Sequence, residues 1–154
     1  MSEFYVRLVR KDELVKLLEL YIHLHEAGDA PLPPDDQLAR LWNEIMDNPM
    51  LHYLVGEADG KLVSSCTLAI IPNLTRGARP YGLIENVVTH RDYRKRGFGT
   101  RTLQHALQIA WDCDCYKVML LTGSKQESRL RFYEGAGFKR GVKTGFVAYP
   151  PNTN

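Results

Sequence analysis

With 154 residues, 44% of them hydrophobic and 25% charged, the chain has the size and composition of one globular domain, residues 1–154, able to bury a core. Its net charge of +2 is too small to argue for nucleic acid or an anionic membrane as partner, and no apolar run approaches the roughly 18 residues of a membrane span. Three cysteines, Cys66, Cys113 and Cys115, form neither a disulfide framework nor a C-x-x-C pair, and Glu3 and Arg7 stand where a signal peptide would need an apolar core, so a reduced, cytoplasmic protein is expected.

The run 4–9 alternates and is rich in β-formers, which reads as a first strand. Asp12 then reads as the cap of a helix to about residue 25, with Leu14, Leu17, Leu18, Tyr21 and Ile22 as its apolar stripe. His23 and His25 diverge on a helix and make a poor metal pair, so no metal is expected. After the Pro-rich loop 28–34, Asp35 or Asp36 opens a second helix that closes near Asn48-Pro49, with Leu38, Leu41, Trp42 and Ile45 inward. Strands over 52–57 and 61–71 flank Asp59-Gly60, a strong hairpin signal. The loop 72–80, carrying Arg76 and Arg79, leads to a central strand over 83–89 that carries Glu85, so the second, third and fourth strands form an antiparallel meander. A helix follows with Leu103, Ala106, Leu107, Ala110 and Trp111 on one face, then a strand over 116–121. Strand, helix and strand in succession imply a right-handed crossover and a parallel pair, hence a mixed sheet with helices on both faces. A last helix from about 125 to 135 leads to strands near 138–140 and 144–149.

The informative stretch is Arg94-Lys95-Arg96-Gly97-Phe98-Gly99-Thr100, a basic, glycine-containing turn between the central strand and the long helix. Glycine permits backbone geometries in which successive N–H groups converge, and the helix start adds unpaired amides and the positive end of a dipole. Such a turn binds a phosphate or pyrophosphate, and the cations of the turn together with Arg91 and Arg101 agree with that charge. It is not a Walker A loop, and Thr102 stands where the dinucleotide fingerprint needs its third glycine. A basic turn opening a surface helix is the alternative for this stretch taken alone.

A second stretch, Phe132-Tyr133-Glu134-Gly135-Ala136-Gly137-Phe138, ends a helix at a glycine pair and returns to a strand. Together, in this order and spacing, the two stretches resemble the GCN5-related N-acetyltransferase (GNAT) superfamily. The resemblance covers residues 83 to 138 closely and the rest in outline. It implies an α/β fold with a mixed, mostly antiparallel sheet of about six to seven strands and about four helices. It also implies acetyl-CoA as co-substrate: its pyrophosphate on the backbone of Arg94, Lys95, Arg96, Gly97, Phe98, Gly99 and Thr100, and its pantetheine arm along the backbone of Val87, Val88 and Thr89. An N–H near Val88 would stabilise the oxyanion, and Tyr133 would give the leaving thiolate its proton. Glu85 would be the base toward the attacking amine, paired or with a raised pKa in its apolar strand; a solvent-facing glutamate that only contacts the substrate is the alternative, and His90 is a lesser rival base. The family's asparagine early in the last helix is missing, and Gln126 or Ser128 is left to replace its cofactor contact.

Residues 84–88 with 115–118 are similar to the glucosamine-6-phosphate N-acetyltransferases, although Asn86 stands where those carry an acidic residue. Glu85, Asn86, Arg76 and Arg79 are the candidate substrate contacts, the arginines suited to a phosphate or carboxylate on a small-molecule amine. A protein or peptide amine or an aminoacyl-tRNA as acceptor, or a silent CoA-binding sensor, remain as alternatives. The resemblance also implies a homodimer through the C-terminal strands, here Phe146-Val147-Ala148-Tyr149.

Overall fold

In the computed structural model, which describes residues 3–152, Asp59 and Gly60 both take positive φ, 53° and 71°. That is the geometry of a two-residue type I′ turn. It folds β2 (Leu51–Ala58) back on β3 (Lys61–Ile71), and β3 pairs antiparallel with β4 (Tyr81–Thr89) as the expected meander. β1 (Phe4–Leu8) adds to the outer edge of β2, and β5 (Val118–Leu120) pairs parallel with β4. The sheet therefore runs β1-β2-β3-β4-β5.

The helices cover both faces. α4 (Phe98–Asp112) buries Leu103, Ala106 and Ala110 against Leu54, Cys66, Leu68 and Ile84. α1 (Leu14–Tyr21) and α2 (Asp35–Asp47) cover the other face, where Leu17, Leu20 and Trp42 meet Val55 and Val88. α3 (Thr75–Ala78) is a kinked turn in which Arg76, Gly77 and Ala78 all have positive φ. α5 (Glu127–Gly135) lies against α4, with Phe132 and Tyr133 packed on the α4-side core.

The sheet has five strands among the described residues, not six to seven, because neither 138–140 nor 144–149 is a strand. A β-rich sequence becomes a strand only where it pairs with a neighbour, and among the described residues this segment pairs with no strand, although the outer edge of β5 is open. Its Val142, Phe146, Val147 and Tyr149 stand exposed. α1 also stops at Tyr21 instead of running to residue 25. The amides of His23 and Leu24 bond to the carbonyls of Leu20 and Tyr21, 3.0 Å each, in a tightened turn. Ile22 and Trp111, expected inward, face solvent. Asp12 is not the cap it was taken for: the carboxylate of Glu13 accepts the N–H of Arg10 at 2.8 Å at the start of the first helical turn. No helix among the described residues is long and apolar enough to cross a membrane.

Candidate active site

The site begins with a mismatch between two strands. β5 pairs with β4 only at Gly82, Leu83 and Ile84, while β4 continues to Thr89. From Glu85 onward the β5 side of the central strand is open. Gly82 is where the two strands meet most tightly, since a Cβ there would lie 3.0 Å from Leu68 and 3.1 Å from Val118.

The same stretch carries a bulge. Thr67 pairs with Glu85 and Ser65 with Val88, so β4 has one residue more than β3 over this interval. Asn86 absorbs it with a left-handed φ of 54°. The extra residue inverts the side-chain alternation, as a bulge does. Ile84 and Val87 both face α4, and Val88 packs into the α1–α2 core. Backbone direction follows. The His90 N–H bonds to the Val63 carbonyl at 2.8 Å, which turns residue 90 toward β3. Alternation then points Val88 to β3, and Val87 and Thr89 to the open side. In agreement, the Thr89 carbonyl accepts from Arg94 Nε at 3.0 Å on that side. The donor offered to the cleft is thus the Val87 N–H, next to the Val88 near which the sequence places it.

At the end of this open edge sits the basic turn. Lys95 and Gly97 take φ of 64° and 80°, and the first bond of α4 runs from the Arg101 N–H to the Gly97 carbonyl at 3.0 Å. The amides of Phe98, Gly99 and Thr100 precede that bond and have no intrahelical acceptor. Alternation of right- and left-handed residues with a helix start makes a concave anion nest. Gly99 has a separate role: a Cβ there would stand 3.0 Å from Phe132 Cζ and 3.0 Å from Thr89 Oγ1. Its absence lets α4, α5 and the end of β4 converge.

The cations are less uniform than their spelling. Arg94 points away from the nest; it bonds the His23 carbonyl at 3.2 Å and Glu26 at 3.4 Å, tying the end of α1 to the end of β4. Arg96 lies over the Tyr93 ring, 5.0 Å from its centroid, and Arg101 over Phe4 at 4.6 Å. Lys95 and Arg91 are exposed beside the turn. Thr100 is half-buried and Ser128 exposed near the start of α5.

Tyr133 is half-buried on α5, its ring 5.0 Å from that of Phe132. Glu85 is exposed, which corrects the expectation of a buried, paired carboxylate. Its register with Thr67 and, through it, Tyr53 puts all three on the α1–α2 face of the sheet. The His90 ring lies tilted by 38° against that of His23, centroids 4.0 Å apart, and its Nδ1 accepts the Asp92 N–H at 3.1 Å. Arg79 is taken elsewhere: it bonds the Asp114 carboxylate and carbonyl at 3.2 Å each, and the Cys115 carbonyl at 3.4 Å. Arg76 is exposed on α3.

The sequence reading missed the cavity between α1, α2, β2 and Asn86, of about 250 Å³. Tyr21, Trp42 and Tyr53 are among its walls. The Tyr21 hydroxyl is buried without a hydrogen-bond partner, and burial pushes its pKa up to about 12. The apolar stripe of α2, Leu38, Leu41, Trp42 and Ile45, was the available signal, but only packing shows that part of it meets a cavity. Among the described residues no cluster of His, Cys, Asp or Glu could hold a metal ion.

Comparison with known proteins agrees with this arrangement. Residues 14–138 match the model of the acetyltransferase (GNAT) family. The chain is 33% identical over 139 residues to the glucosamine 6-phosphate N-acetyltransferase of Trypanosoma brucei brucei, covering 87% of this chain and 88% of that protein. A putative acetyltransferase from Agrobacterium tumefaciens superposes with a TM-score of 0.86 at 40% identity, covering 95% of this chain and 99% of that one. The glucosamine-6-phosphate N-acetyltransferase of Arabidopsis thaliana shares the fold, with a TM-score of 0.80 at 20% identity over 96% of this chain and 99% of that one. An open central-strand edge that ends at an amide nest is what a thioester carrier with a pyrophosphate requires, and the chain belongs to the acetyltransferase (GNAT) family as an acetyl-CoA-dependent N-acetyltransferase.

Proposed function

We propose that the protein moves an acetyl group from acetyl-CoA to the primary amine of a small molecule by direct attack within a ternary complex. One observation carries the reading: the β4 edge from Glu85 to Thr89 is unpaired and runs into the nest at residues 95–100. The amides of Phe98, Gly99 and Thr100, with Lys95, would hold the pyrophosphate, and Thr100 Oγ1 would add a donor. The outward amides of Val87 and Thr89 and the Val87 carbonyl would pair with the amides of the pantetheine arm as a strand would, the Thr89 carbonyl being held by Arg94. Acetyl-CoA, when bound, supplies an acetyl group activated as a thioester.

The chain's own groups then divide the proton work. Glu85, on the acceptor face, takes the proton of the incoming ammonium, directly or through a water, because an ammonium has no lone pair to attack with. The Val87 N–H faces the carbonyl oxygen where negative charge develops as the C–N bond forms. Tyr133 gives a proton to the sulfur as the C–S bond breaks. Ser128, at the start of α5, is the group left to contact the cofactor where relatives carry an asparagine.

A homodimer in a reducing, cytoplasmic setting belongs to this reading. It is supported by the exposed apolar side chains of the C-terminal segment: Phe146 is 90% exposed and Tyr149 76%. The test of the catalytic reading is calorimetry with coenzyme A and acetyl-CoA at near-physiological salt, followed by thiol release over an amine panel. Micromolar binding with amine-dependent release is expected. Binding without release on any amine favours a CoA sensor, and no heat of binding would sink the reading.

A further inference from the structure

We infer that the acceptor is a primary amine on a small apolar body, one aromatic ring or a short alkyl chain, and not a phosphosugar, seated in the cavity between α1, α2 and β2 beside Asn86. This rests on the reading of the chain as an amine acetyltransferase.

The walls make the first argument. Leu17, Leu18, Leu38, Leu41, Trp42 and Ile45 line the cavity. On α2 Trp42 is buried in the core with Ile45 packed beside it, while Leu41 is 47% exposed and Leu38 half-buried, so this part of the apolar face lines the cavity without being covered. Unfilled apolar wall favours an apolar guest.

Charge makes the second. No lysine or arginine is among the lining residues; the carboxylate there is Asp29, with His25 beside it. Asp29 is held by the Ala30 N–H at 2.8 Å. A carboxylate at the mouth attracts an ammonium and repels a phosphate dianion, which on these walls would have no cation to pair with. Of the two candidate phosphate ligands, Arg79 is committed to Asp114 and Cys115, and Arg76, exposed on α3, is not among the walls of this cavity.

The third argument concerns the polar end. The hydroxyls of Tyr21 and Thr67 are buried close to one another, and neither has a partner within full hydrogen-bond distance. Thr67 shares a face with Glu85, and Tyr21 lines the cavity together with Asn86. Buried hydroxyls in folded proteins are nearly always paired. An amine nitrogen entering beside Asn86 would give the Tyr21 hydroxyl, which lines the cavity, a partner. The volume of about 250 Å³ limits the body, since drug-sized ligands occupy cavities of roughly 300–1,000 Å³. A multi-ring aminoglycoside is too large for it.

The experiment compares thiol release from acetyl-CoA with 2-phenylethylamine, n-hexylamine and glucosamine 6-phosphate. The expected kcat/KM for phenylethylamine exceeds that for the phosphosugar by about 100-fold, the scale on which a site rejects a buried unpaired charge. Leu41→Arg is expected to lower the phenylethylamine value about tenfold and raise that of the phosphosugar, leaving the KM for acetyl-CoA unchanged. Preference for glucosamine 6-phosphate in the unmodified protein, or indifference of both values to Leu41→Arg, overturns the inference while leaving the catalytic reading intact. Release on no amine overturns the catalytic reading instead. Calorimetric titration of phenylethylamine into the CoA-loaded protein then decides the cavity alone: saturable binding weakened by Leu41→Arg supports it, and absence of binding overturns it.

Discussion

At the scale of single residues, the two glycines of the nest do different work and should fail differently. Gly97 needs its φ of 80°, so Gly97→Ala should cost about 1 kcal/mol of stability and weaken coenzyme A binding by roughly tenfold. Gly99 needs space: its added methyl would meet Phe132 and Thr89 at 3.0 Å, so Gly99→Ala should shift α5 against α4 and affect kcat as well as affinity. Calorimetry and steady-state kinetics separate the two. Tyr133→Phe keeps the ring and removes the proton, and should lower kcat by about 10–100-fold with little change in KM for acetyl-CoA. Glu13 is the buried carboxylate with the clearest stability role. It is 2% exposed and accepts from Arg7 at 2.7 and 2.8 Å. Those bonds, with the Arg10 N–H, hold its pKa down to about 2 from 4.5. The folded state therefore binds fewer protons than the unfolded state between these values. The contribution is complete above about pH 4.5 and is lost as pH falls toward 2. Glu13→Gln should cost on the order of 3 kcal/mol in urea unfolding at pH 7 and flatten the acid limb of the stability curve.

At the scale of elements, the joint between α1 and the end of β4 sets how firmly the acceptor wall meets the cofactor strand. Its parts are the His23–His90 ring contact, the Arg91 N–H on His23 Nδ1 at 3.5 Å, and Arg94 reaching the His23 and Thr89 carbonyls. The Arg94–Glu26 ion pair is exposed and adds less than about 1 kcal/mol. Burial, then His90, Arg91 and Arg94, push the His23 pKa below the usual 6.5. Protonation is thus easier in the unfolded chain, and the joint should loosen as pH falls below about 6.5. Hydrogen exchange of the amides at 21–25 and an NMR titration of His23 would show this. His23→Phe should retain the ring contact and remove the acid sensitivity.

At the scale of the molecule, the open question of form lies in the C-terminal segment. The chain leaves α5 through a positive-φ Gly137 and continues without regular structure, with Val142 71% and Phe146 90% exposed. β5, at the sheet's end, pairs with β4 alone. If a second copy covers this segment, Phe146→Asp should convert a dimer to a monomer in sizing with light scattering, with the acetyl-CoA affinity retained. A monomer in the unmodified protein would remove the dimer from the proposal.

The local part of this molecule was legible in its residues. Asp59-Gly60 dictates its hairpin, and the run from Glu85 to Thr100 dictates a strand, a cationic turn and a helix, because turn geometry and apolar periodicity are properties of neighbours in the chain. Tertiary structure alone decided the rest. The bulge at Asn86 comes from register against β3, and it decides which of the amides near Val88 faces the cleft, that of Val87. Arg79 found its partner 35 positions away, and α2 met a cavity beside the core that Trp42 closes. These depend on which distant surfaces come together, which side-chain pattern within one segment does not encode.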